Sequence, residues 1–403
     1  MNPFGARLEG SVLGRVFIGS DWQIEVGNFF YSTTFMIRAL FLTKYDRKAA
    51  SARLRMIQYF PLLEKEGISC QLSPLLDDDY LSRKFSQGTT SLSKPFQAFF
   101  SRSGAILSAG SADVVVIQCD LYPYLPGFFE ALLRSRKIPY IYDYDDAIFH
   151  YYDMHHSAFV RRFMGNKIRN TIRGAHAVLA GAPYLVEYAR AINPNVEWSP
   201  TCIDISRFRT KTWRDDSIEP FTIGWIGAPT SAQFSAEAMP AIRELSKRMP
   251  IRVVFVGSGP VFYEGCEVEV REWSESTEVA EMLRFDVGIM PLPDEPWTRG
   301  KCAFKLIQYM ACGLPVVASP VGMNNDVVTH GSNGFLVAST SQWLSAFQAL
   351  ANSVELRRQM GAAGRRIVEQ GFTTSLGGAK LLRAIQSVPS VASAFAKGAH
   401  LNR

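Results

Sequence analysis

The chain has 403 residues, of which 47% are hydrophobic and 20% are charged, and its formal net charge is +6. This length allows two or three domains with cores of their own, and the apolar fraction excludes an intrinsically disordered chain. A mean hydropathy of +0.00 without a long uncharged apolar run argues against a polytopic membrane protein, and so modest a positive charge does not indicate nucleic-acid binding.

The first 35 residues and the cysteines indicate in which cellular compartment the protein is expected. Residues 1–35 contain Glu9, Asp21 and Glu25, whereas a signal peptide needs a basic start and an uninterrupted apolar stretch. We interpret this segment as an N-terminal extension or as residues ahead of the true start. The six cysteines form no C-x-x-C pair and accompany no histidine cluster, so they do not indicate a zinc site. Free thiols of this kind predict a cytoplasmic protein.

From Met36 onward, apolar runs alternate with amphipathic stretches. In the first half, a helical pattern extends from 52 to 66 and the apolar runs predict strands at 38–43, 68–72, 113–118, 139–142 and 176–180. The charged stretch 206–220 predicts a linker. In the second half, the predicted strands are 221–226, 251–256, 268–272, 286–290 and 314–318, and the predicted helices are 236–248, 277–284 and 303–312.

This alternation predicts an α/β protein with two Rossmann-like domains that face each other across a cleft. The domains are 36–205 and 221–375, and a tail, 376–403, is expected to pack back across the linker. A ligand is expected between the domains, at the carboxyl ends of the strands.

Two segments of the second domain suggest an anion site. The strand 221–226 runs into Gly227, which allows a close backbone approach, and Thr230 and Ser231 can cap the helix that follows. Taken alone, this segment fits an ordinary strand-to-helix turn equally well. In the second segment, three cations bracket the start of the helix 303–312, namely Arg299, Lys301 and Lys305. They predict a diphosphate site, and the alternative is a solvated basic turn before a core helix.

The block 305–319 resembles the donor-site signature of the group 1 (family four) retaining glycosyltransferases, which have the GT-B fold. The segments 41–47, 142–149 and 331–336 are also similar to members of that family, and the resemblance covers about residues 38–370. It implies transfer of a sugar from a nucleoside-diphosphate sugar to a hydroxyl of a glycan or lipid-linked acceptor, with retention of configuration. It also implies that no metal or other cofactor is needed, and that the setting is cell-surface glycan or glycolipid assembly.

Carried over to this chain, the family's E-x7-E motif is incomplete. Gln308 takes the place of the second acid, which holds the ribose, and the first acid falls on Gly300. Ala228 follows Gly227 where many members begin an Arg and Lys pair for the phosphates. We infer that phosphate neutralisation has moved to the loop 299–305. The predicted catalytic residues are therefore Arg299 and Lys305, and the predicted donor-binding residues are Gly227, Thr230, Ser231, Lys301 and Gln308.

The first domain is expected to hold the acceptor. Asp143, Asp145 and Asp146 end a strand at the cleft and could bind a metal ion, but the resemblance argues against metal. We expect these carboxylates to position the acceptor hydroxyl, and the alternative is helix capping. The predicted acceptor side also includes Lys44, Arg47 and Arg53, from the loop after the first strand.

The incomplete motif leaves two other functions open. A non-catalytic nucleotide-sugar-binding subunit of an assembly could keep the donor pocket and lose the acid at Gly300. A nucleotide-sugar epimerase on the same fold would need acid and base groups at the sugar carbon, and the absence of that acid weakens this alternative.

The segment 158–173 has five basic residues and no acid. Basic and apolar residues recur in it at helical spacing. This pattern predicts a basic amphipathic helix that docks peripherally on anionic lipid at the inner face of the membrane. A solvated helix lying over the core fits equally well. The basic stripe holds Arg162, Asn166, Arg169 and Arg173, and the apolar stripe holds Val160, Met164, Ile168 and Ile172.

Overall fold

A computed structural model describes residues 37–79, 93–214 and 219–401, and these residues form two parallel six-stranded sheets. The N-terminal extension predicted at 1–35 and part of the predicted linker, 215–218, lie outside the described residues. The first sheet has the spatial order β2-β1-β3-β4-β5-β6. Its strands are β1 (Ile37–Tyr45), β2 (Ile68–Leu76), β3 (Val114–Gln118), β4 (Tyr140–Tyr144), β5 (Ala177–Ala180) and β6 (Val196–Trp198).

The second sheet has the spatial order β12-β11-β10-β7-β8-β9. Its strands are β7 (Phe221–Ile226), β8 (Ile251–Val256), β9 (Glu269–Arg271), β10 (Val287–Met290), β11 (Val316–Ala318) and β12 (Gly334–Leu336). In both sheets the central strands are buried along their length, as expected for parallel strands covered by helices on both faces. The predicted α/β class with two Rossmann-like halves is confirmed.

The α-helices of the described residues lie between and after these strands. In the N-terminal half they are Ala50–Arg55, Phe60–Lys65, Ser93–Leu107, Phe128–Ser135, His150–Asp153, Ala158–Met164, Lys167–Gly174 and Pro183–Arg190. In the C-terminal half they are Pro229–Ala232, Met239–Ser246, Glu278–Met282, Pro296–Arg299, Phe304–Ala311, Asn324–Val327, Thr340–Asn352, Val354–Gly371, Thr374–Gln386 and Pro389–Leu401.

Two predicted helices are divided, and a proline lies at each division. The pattern 52–66 is divided at Met56, continues as the 3-10 helix Ile57–Tyr59, and becomes α-helical again at Phe60, where Pro61 follows. The pattern 236–248 begins as a 3-10 helix and becomes α-helical at Met239, where Pro240 follows. Proline lacks the amide hydrogen that a helix interior needs, so each proline starts a new helix.

The last two helices pack on the N-terminal half. The main chain of Ile203 exchanges hydrogen bonds with Phe372 and Thr374, at 2.9 Å each. Beyond this crossing, Leu381 and Ile385 are buried against the first sheet. The tail predicted to start at 376 therefore starts inside a helix, and that helix belongs by its packing to the first half.

The predicted amphipathic helix over 158–173 is wrong as a single element. It is divided at Gly165 and Asn166, a pair of poor helix formers, into Ala158–Met164 and Lys167–Gly174. The side chains of Met164, Ile168 and Ile172 are buried in the core, so the predicted apolar stripe does not face a bilayer.

Candidate active site

Gly227 and Lys305 meet where β7 ends. The strand end is anchored because the amide of Ile226 donates a hydrogen bond to the Tyr309 hydroxyl at 2.9 Å. A Cβ atom added at Gly227 would lie 2.5 Å from Cε of Lys305 and 2.8 Å from the ring of Trp225. Only glycine therefore lets the lysine side chain pass across the strand end, which agrees with the close approach predicted at this position.

The ammonium group of Lys305 has no acidic partner. It lies 5.3 Å from the ring centroid of Trp225, and among the described residues it forms no hydrogen bond or ion pair. Burial, reinforced by the nearby charge of Lys301, lowers the pKa of Lys305 to about 8. A half-buried cation without an acidic partner suits the binding of an anion.

Lys301 is neutralised by the opposite half of the molecule. Its ammonium lies 2.9 Å from Oδ1 of Asp146, which follows β4, and 4.9 Å from the ring centroid of Trp297. Burial raises the pKa of Asp146 although the lysine is close. This ion pair joins a loop of the C-terminal half to the carboxyl end of the first sheet.

Arg299 is paired at the surface. Its guanidinium makes two hydrogen bonds to Asp294, at 2.6 and 3.1 Å, and about half of the side chain is exposed. Of the three cations predicted in the loop 299–305, Lys305 is thus the one without an acidic partner among the described residues.

The position of the family's first acid is filled. A Cβ atom at Gly300 would lie 2.6 Å from Cβ and 2.9 Å from the main-chain nitrogen of Ala147, so a glutamate does not fit there. Glu295 caps the helix Pro296–Arg299 in a capping box with Thr298. With Asp294 held by Arg299, neither nearby acid stands in for the missing one.

Thr230 and Ser231 do not cap a helix as predicted. The helix Pro229–Ala232 is a single turn, and its N-cap is Ala228, so the two residues lie inside it. The hydroxyl of Ser231 donates to the Ala228 carbonyl at 2.9 Å. The role of both residues in donor binding stays a prediction.

Gln308 is buried one helical turn after Lys305, and the two side chains lie on the same face of the helix Phe304–Ala311. Its Nε2 donates to Oε2 of Glu278 at 3.4 Å, and Nε1 of Trp273 donates to the same oxygen at 3.1 Å. Burial raises the pKa of Glu278. Sequence reasoning missed Glu278, because an acid in the first turn of a helix is too common to stand out.

The placement of Asp143 at the acceptor is wrong. Its carboxylate is 2% exposed and accepts hydrogen bonds from Nε and Nη2 of Arg55, with the Nε to Oδ1 distance at 3.0 Å. In a third hydrogen bond, Nη1 of Arg55 donates to the Ser199 carbonyl at 2.6 Å. Asp143 therefore anchors the end of β4, and sequence reasoning missed Arg55.

The other predicted acceptor-side residues lie at the carboxyl ends of β1 and β4. Asp145 is half-buried, and its Oδ1 lies 3.6 Å from the Cys119 thiol. Lys44 is half-buried beside Tyr45, and Arg47 is exposed. Arg53 reaches the other half, where its guanidinium lies 5.5 Å from the Trp273 ring centroid and 3.5 Å from Glu275.

Metal ligands do not converge in the described part of the chain. No three His, Cys, Asp or Glu side chains there are grouped as an ion would require. Within the same residues, no helix has the length and the apolar character to cross a bilayer.

The comparisons with known proteins match this architecture. Sucrose-phosphate synthase from Thermosynechococcus elongatus superimposes with a TM-score of 0.64 at 13% identity, over 86% of this chain and 98% of that one. The Anabaena protein HepE, in complex with UDP-glucose, gives a TM-score of 0.60 at 14% identity, over 87% of this chain and 100% of that one. The chain has two parallel six-stranded sheets, and the ion pair between Asp146 and Lys301 joins their carboxyl ends. This arrangement is a GT-B fold.

The match to a protein family lies in the C-terminal half of the chain. Residues 220–353 match the model of the family described as glycosyl transferases, group 1. A D-inositol 3-phosphate glycosyltransferase of Pseudarthrobacter chlorophenolicus is 25% identical over 220 residues, which are 48% of this chain and 50% of that protein. The chain thus spans about half the length of that curated relative. Residues 220–353 form a group 1 glycosyltransferase domain.

Proposed function

We propose that the chain is a glycosyltransferase that moves a sugar from a nucleoside-diphosphate sugar to a hydroxyl acceptor. The observation that carries this proposal is the half-buried ammonium of Lys305, which lies beside Gly227 where β7 ends and has no acidic partner among the described residues. It lies within the region that matches the family model. The complex of HepE with UDP-glucose supports a donor of the same chemical class.

The chemistry follows from where charge develops. Breaking the bond between sugar and diphosphate leaves negative charge on the phosphate, and a fixed cation in an enclosed site stabilises it. Lys305 supplies that cation, so the reaction needs no metal ion. We place the acceptor hydroxyl near Asp145 and Asp146. Retention of configuration, and a role in cell-surface glycan or glycolipid assembly, are the finer parts of the proposal and come from the family.

The test is a thermal-shift panel of UDP-, GDP-, ADP- and CMP-sugars, each with and without EDTA. A donor at 100 times its Kd should stabilise the fold by about 2.7 kcal/mol, and EDTA should not change this. Lys305→Met should lose the thermal stabilisation by the donor. Lys247→Met is the control, because Lys247 is an exposed lysine outside the candidate site. Absence of any response in the native chain would refute the donor site.

A non-catalytic subunit that binds nucleotide sugars is the second candidate. The observation that favours it is the main chain of Ala147, which fills the place of the family's first acid at Gly300. Incubation of the responding donor with sugar and lipid acceptors separates the two functions. A new glycoside with release of nucleoside diphosphate supports the transferase, and binding without turnover supports the subunit.

The proposed peripheral docking at the cytoplasmic face of the membrane depends on exposed aromatic side chains and not on the apolar stripe predicted over 158–173. Phe159 and Phe163 are 70% and 65% exposed, and they lie beside the exposed Arg161 and Arg162. Aromatic and basic side chains together suit an anionic lipid surface. Flotation with anionic vesicles should fail for Phe159→Ser/Phe163→Ser and persist for Phe262→Ser, an exposed control in the other half. Flotation independent of anionic lipid would refute the docking.

A further inference from the structure

A cavity of about 220 Å³ lies between helices of the N-terminal half, apart from the candidate active site. All of its lining residues come from this half, from the segments 127–134 and 163–171. The helix Phe128–Ser135 forms one wall and the helix Lys167–Gly174 forms the other. Neither wall contains a residue of the proposed donor site, so the cavity is a separate feature that the proposed reaction does not use.

Glu130 is a buried carboxylate in the lining of this cavity. It is 2% exposed, and its Oε2 has no hydrogen-bond partner among the described residues. Oε2 faces Gly127, which also lines the cavity, because a Cβ atom at that position would lie 3.5 Å from it. Burial raises the pKa of Glu130, although Lys167 and Arg134 favour its charged form. A buried acceptor without a donor costs free energy, so this oxygen is suited to accept a hydrogen bond from a ligand.

The charges of the lining favour a neutral ligand. The ammonium of Lys167 is neutralised by Asp120, at 2.6 Å. This leaves one carboxylate, Glu130, and one guanidinium, that of Arg134, in the lining. Because these two charges balance, the cavity selects neither a cation nor an anion by its net charge. A hydroxyl group can donate to Oε2 without adding a charge of its own.

The remaining lining residues suit a sugar ring. Phe128 and Phe163 are 71% and 65% exposed, so each presents an apolar face beside the polar groups. Asn166 and Asn170 lie one helical turn apart, and the side-chain amide of Asn166 forms no hydrogen bond within the described part of the chain. A sugar offers hydroxyls to carboxylate and amide groups and C–H groups to aromatic rings. Sites for drug-sized ligands begin at about 300 Å³, so this smaller cavity has room for one sugar residue.

We propose that this cavity binds one neutral sugar residue of a glycan, with a sugar hydroxyl donating to Oε2 of Glu130 and the ring lying against the exposed phenylalanines. The inference adds a second carbohydrate site to the proposed function, and it rests on that function only for the choice of a sugar among hydroxyl-bearing ligands. The cavity lies on the acceptor side of the first sheet. Its residue Lys167 pairs with Asp120, which directly follows Cys119, and the Cys119 thiol lies 3.6 Å from Asp145.

The experiment is titration of the full chain, followed by NMR, with the methyl glycosides of glucose, galactose, mannose and N-acetylglucosamine. Gly127→Ala should weaken the binding of the responding sugar at least about tenfold, or about 1.4 kcal/mol, because the new methyl group takes the space in front of Oε2. The variant should fold, since its Cβ makes only an ordinary contact and φ of Gly127 is −70°. Gly110→Ala is the matched control, because a Cβ atom there meets no atom within 4 Å, and it should keep the affinity.

Substitutions of Glu130 test the hydrogen bond itself. Glu130→Met removes the acceptor and should also weaken sugar binding at least about tenfold. Glu130→Gln keeps a neutral acceptor, so its affinity should lie between those of the native chain and Glu130→Met. Thermal unfolding of each variant shows that a lost response does not come from unfolding. Phe163 is left unchanged because it also belongs to the proposed membrane-docking surface.

The outcomes separate this site from the donor site. Absence of binding by all four glycosides, or binding that Gly127→Ala leaves unchanged, overturns the sugar site. Ethanolamine and inorganic phosphate are titrated as charged probes, and binding of either in place of a sugar, lost in Gly127→Ala, overturns the assignment to a neutral ligand. A chain that binds a glycoside in this cavity but does not respond to any nucleotide sugar keeps this site and loses the proposed donor site.

Discussion

Replacing Lys305 by methionine should stabilise the chain and weaken nucleotide binding, two effects of opposite sign. The lysine has an ordinary pKa of 10.5, and burial beside Lys301 lowers it to about 8. The folded state thus disfavours the charged form. At about 1.4 kcal/mol for each pH unit, this amounts to about 3 kcal/mol of lost stability wherever the amine is charged in both states, that is, below pH 8. Methionine keeps the aliphatic stem and removes the charge, so about 3 kcal/mol is the upper limit of the gain at pH 7.

The pH dependence follows from the same lowered pKa. Above pH 8 the folded chain releases the proton from Lys305, and the advantage of Lys305→Met should shrink, until it vanishes near the ordinary pKa of 10.5. Denaturant unfolding at pH 7 and pH 10 measures this. Lys301→Met is the matched control. It leaves Asp146 without its cation, so it should lower stability at pH 7.

Nucleotide binding should move in the opposite direction. Loss of a charge-assisted hydrogen bond costs about 1.5–3 kcal/mol, so the affinity of Lys305→Met for UDP should fall about 10- to 150-fold. In the native chain, UDP affinity should decline as pH rises above 8, and in the variant it should stay flat over that range. A variant that is destabilised at pH 7, or that binds UDP within twofold of the native chain, would refute the reasoning.

Three further substitutions test the geometry. Gly300→Glu restores the family's acid but meets the main chain of the opposite half, so calorimetry should show about 1–3 kcal/mol of lost stability and turnover assays should show no gain. Arg55→Met should cost about 3–5 kcal/mol in denaturant unfolding because Asp143 stays buried without its cation, and adding Asp143→Leu should recover most of that loss. Gly227→Ala should weaken UDP binding severalfold in titration, because its Cβ displaces Lys305, and unchanged binding would contradict the close approach.

Most strands were predictable because a parallel strand covered by helices on both faces must be apolar throughout. Val114–Gln118 and Phe221–Ile226 are such strands, and their runs stand out in the sequence. The two strands that were missed, Val196–Trp198 and Gly334–Leu336, are three residues long and lie at the edges of the sheets. An edge strand buries less of its surface, so its sequence carries a weaker signal.

The partners of charged side chains were much harder to predict. Asp143 and Asp146 are three residues apart, yet one is paired with Arg55 inside the first half and the other with Lys301 across the two halves. Sequence spacing places both at the carboxyl end of β4. It does not say which cation reaches each carboxylate, because both partners come from segments far away along the chain. The partner of Arg299, by contrast, is close in the sequence, because Asp294 lies five residues before it.

The departures from the family motif lie at Gly300, which ends one helix, and at Gln308, which is buried in the next. The two acid positions of the motif hold Gly300 and Gln308, which taken alone suggest a site that has lost its chemistry. In the fold, a carboxylate stands beside each end of the segment: Asp146 is 2.9 Å from Lys301 at the start, and Glu278 is 3.4 Å from Gln308 one turn beyond Lys305. A carboxylate from another element therefore lies at each end of the segment that the motif covers. A glutamate at position 300 is excluded by packing, so the carboxylate had to come from the facing half. The ion pair between Asp146 and Lys301 forms across the interface of the two halves, so this carboxylate lies beside the segment only where the halves meet.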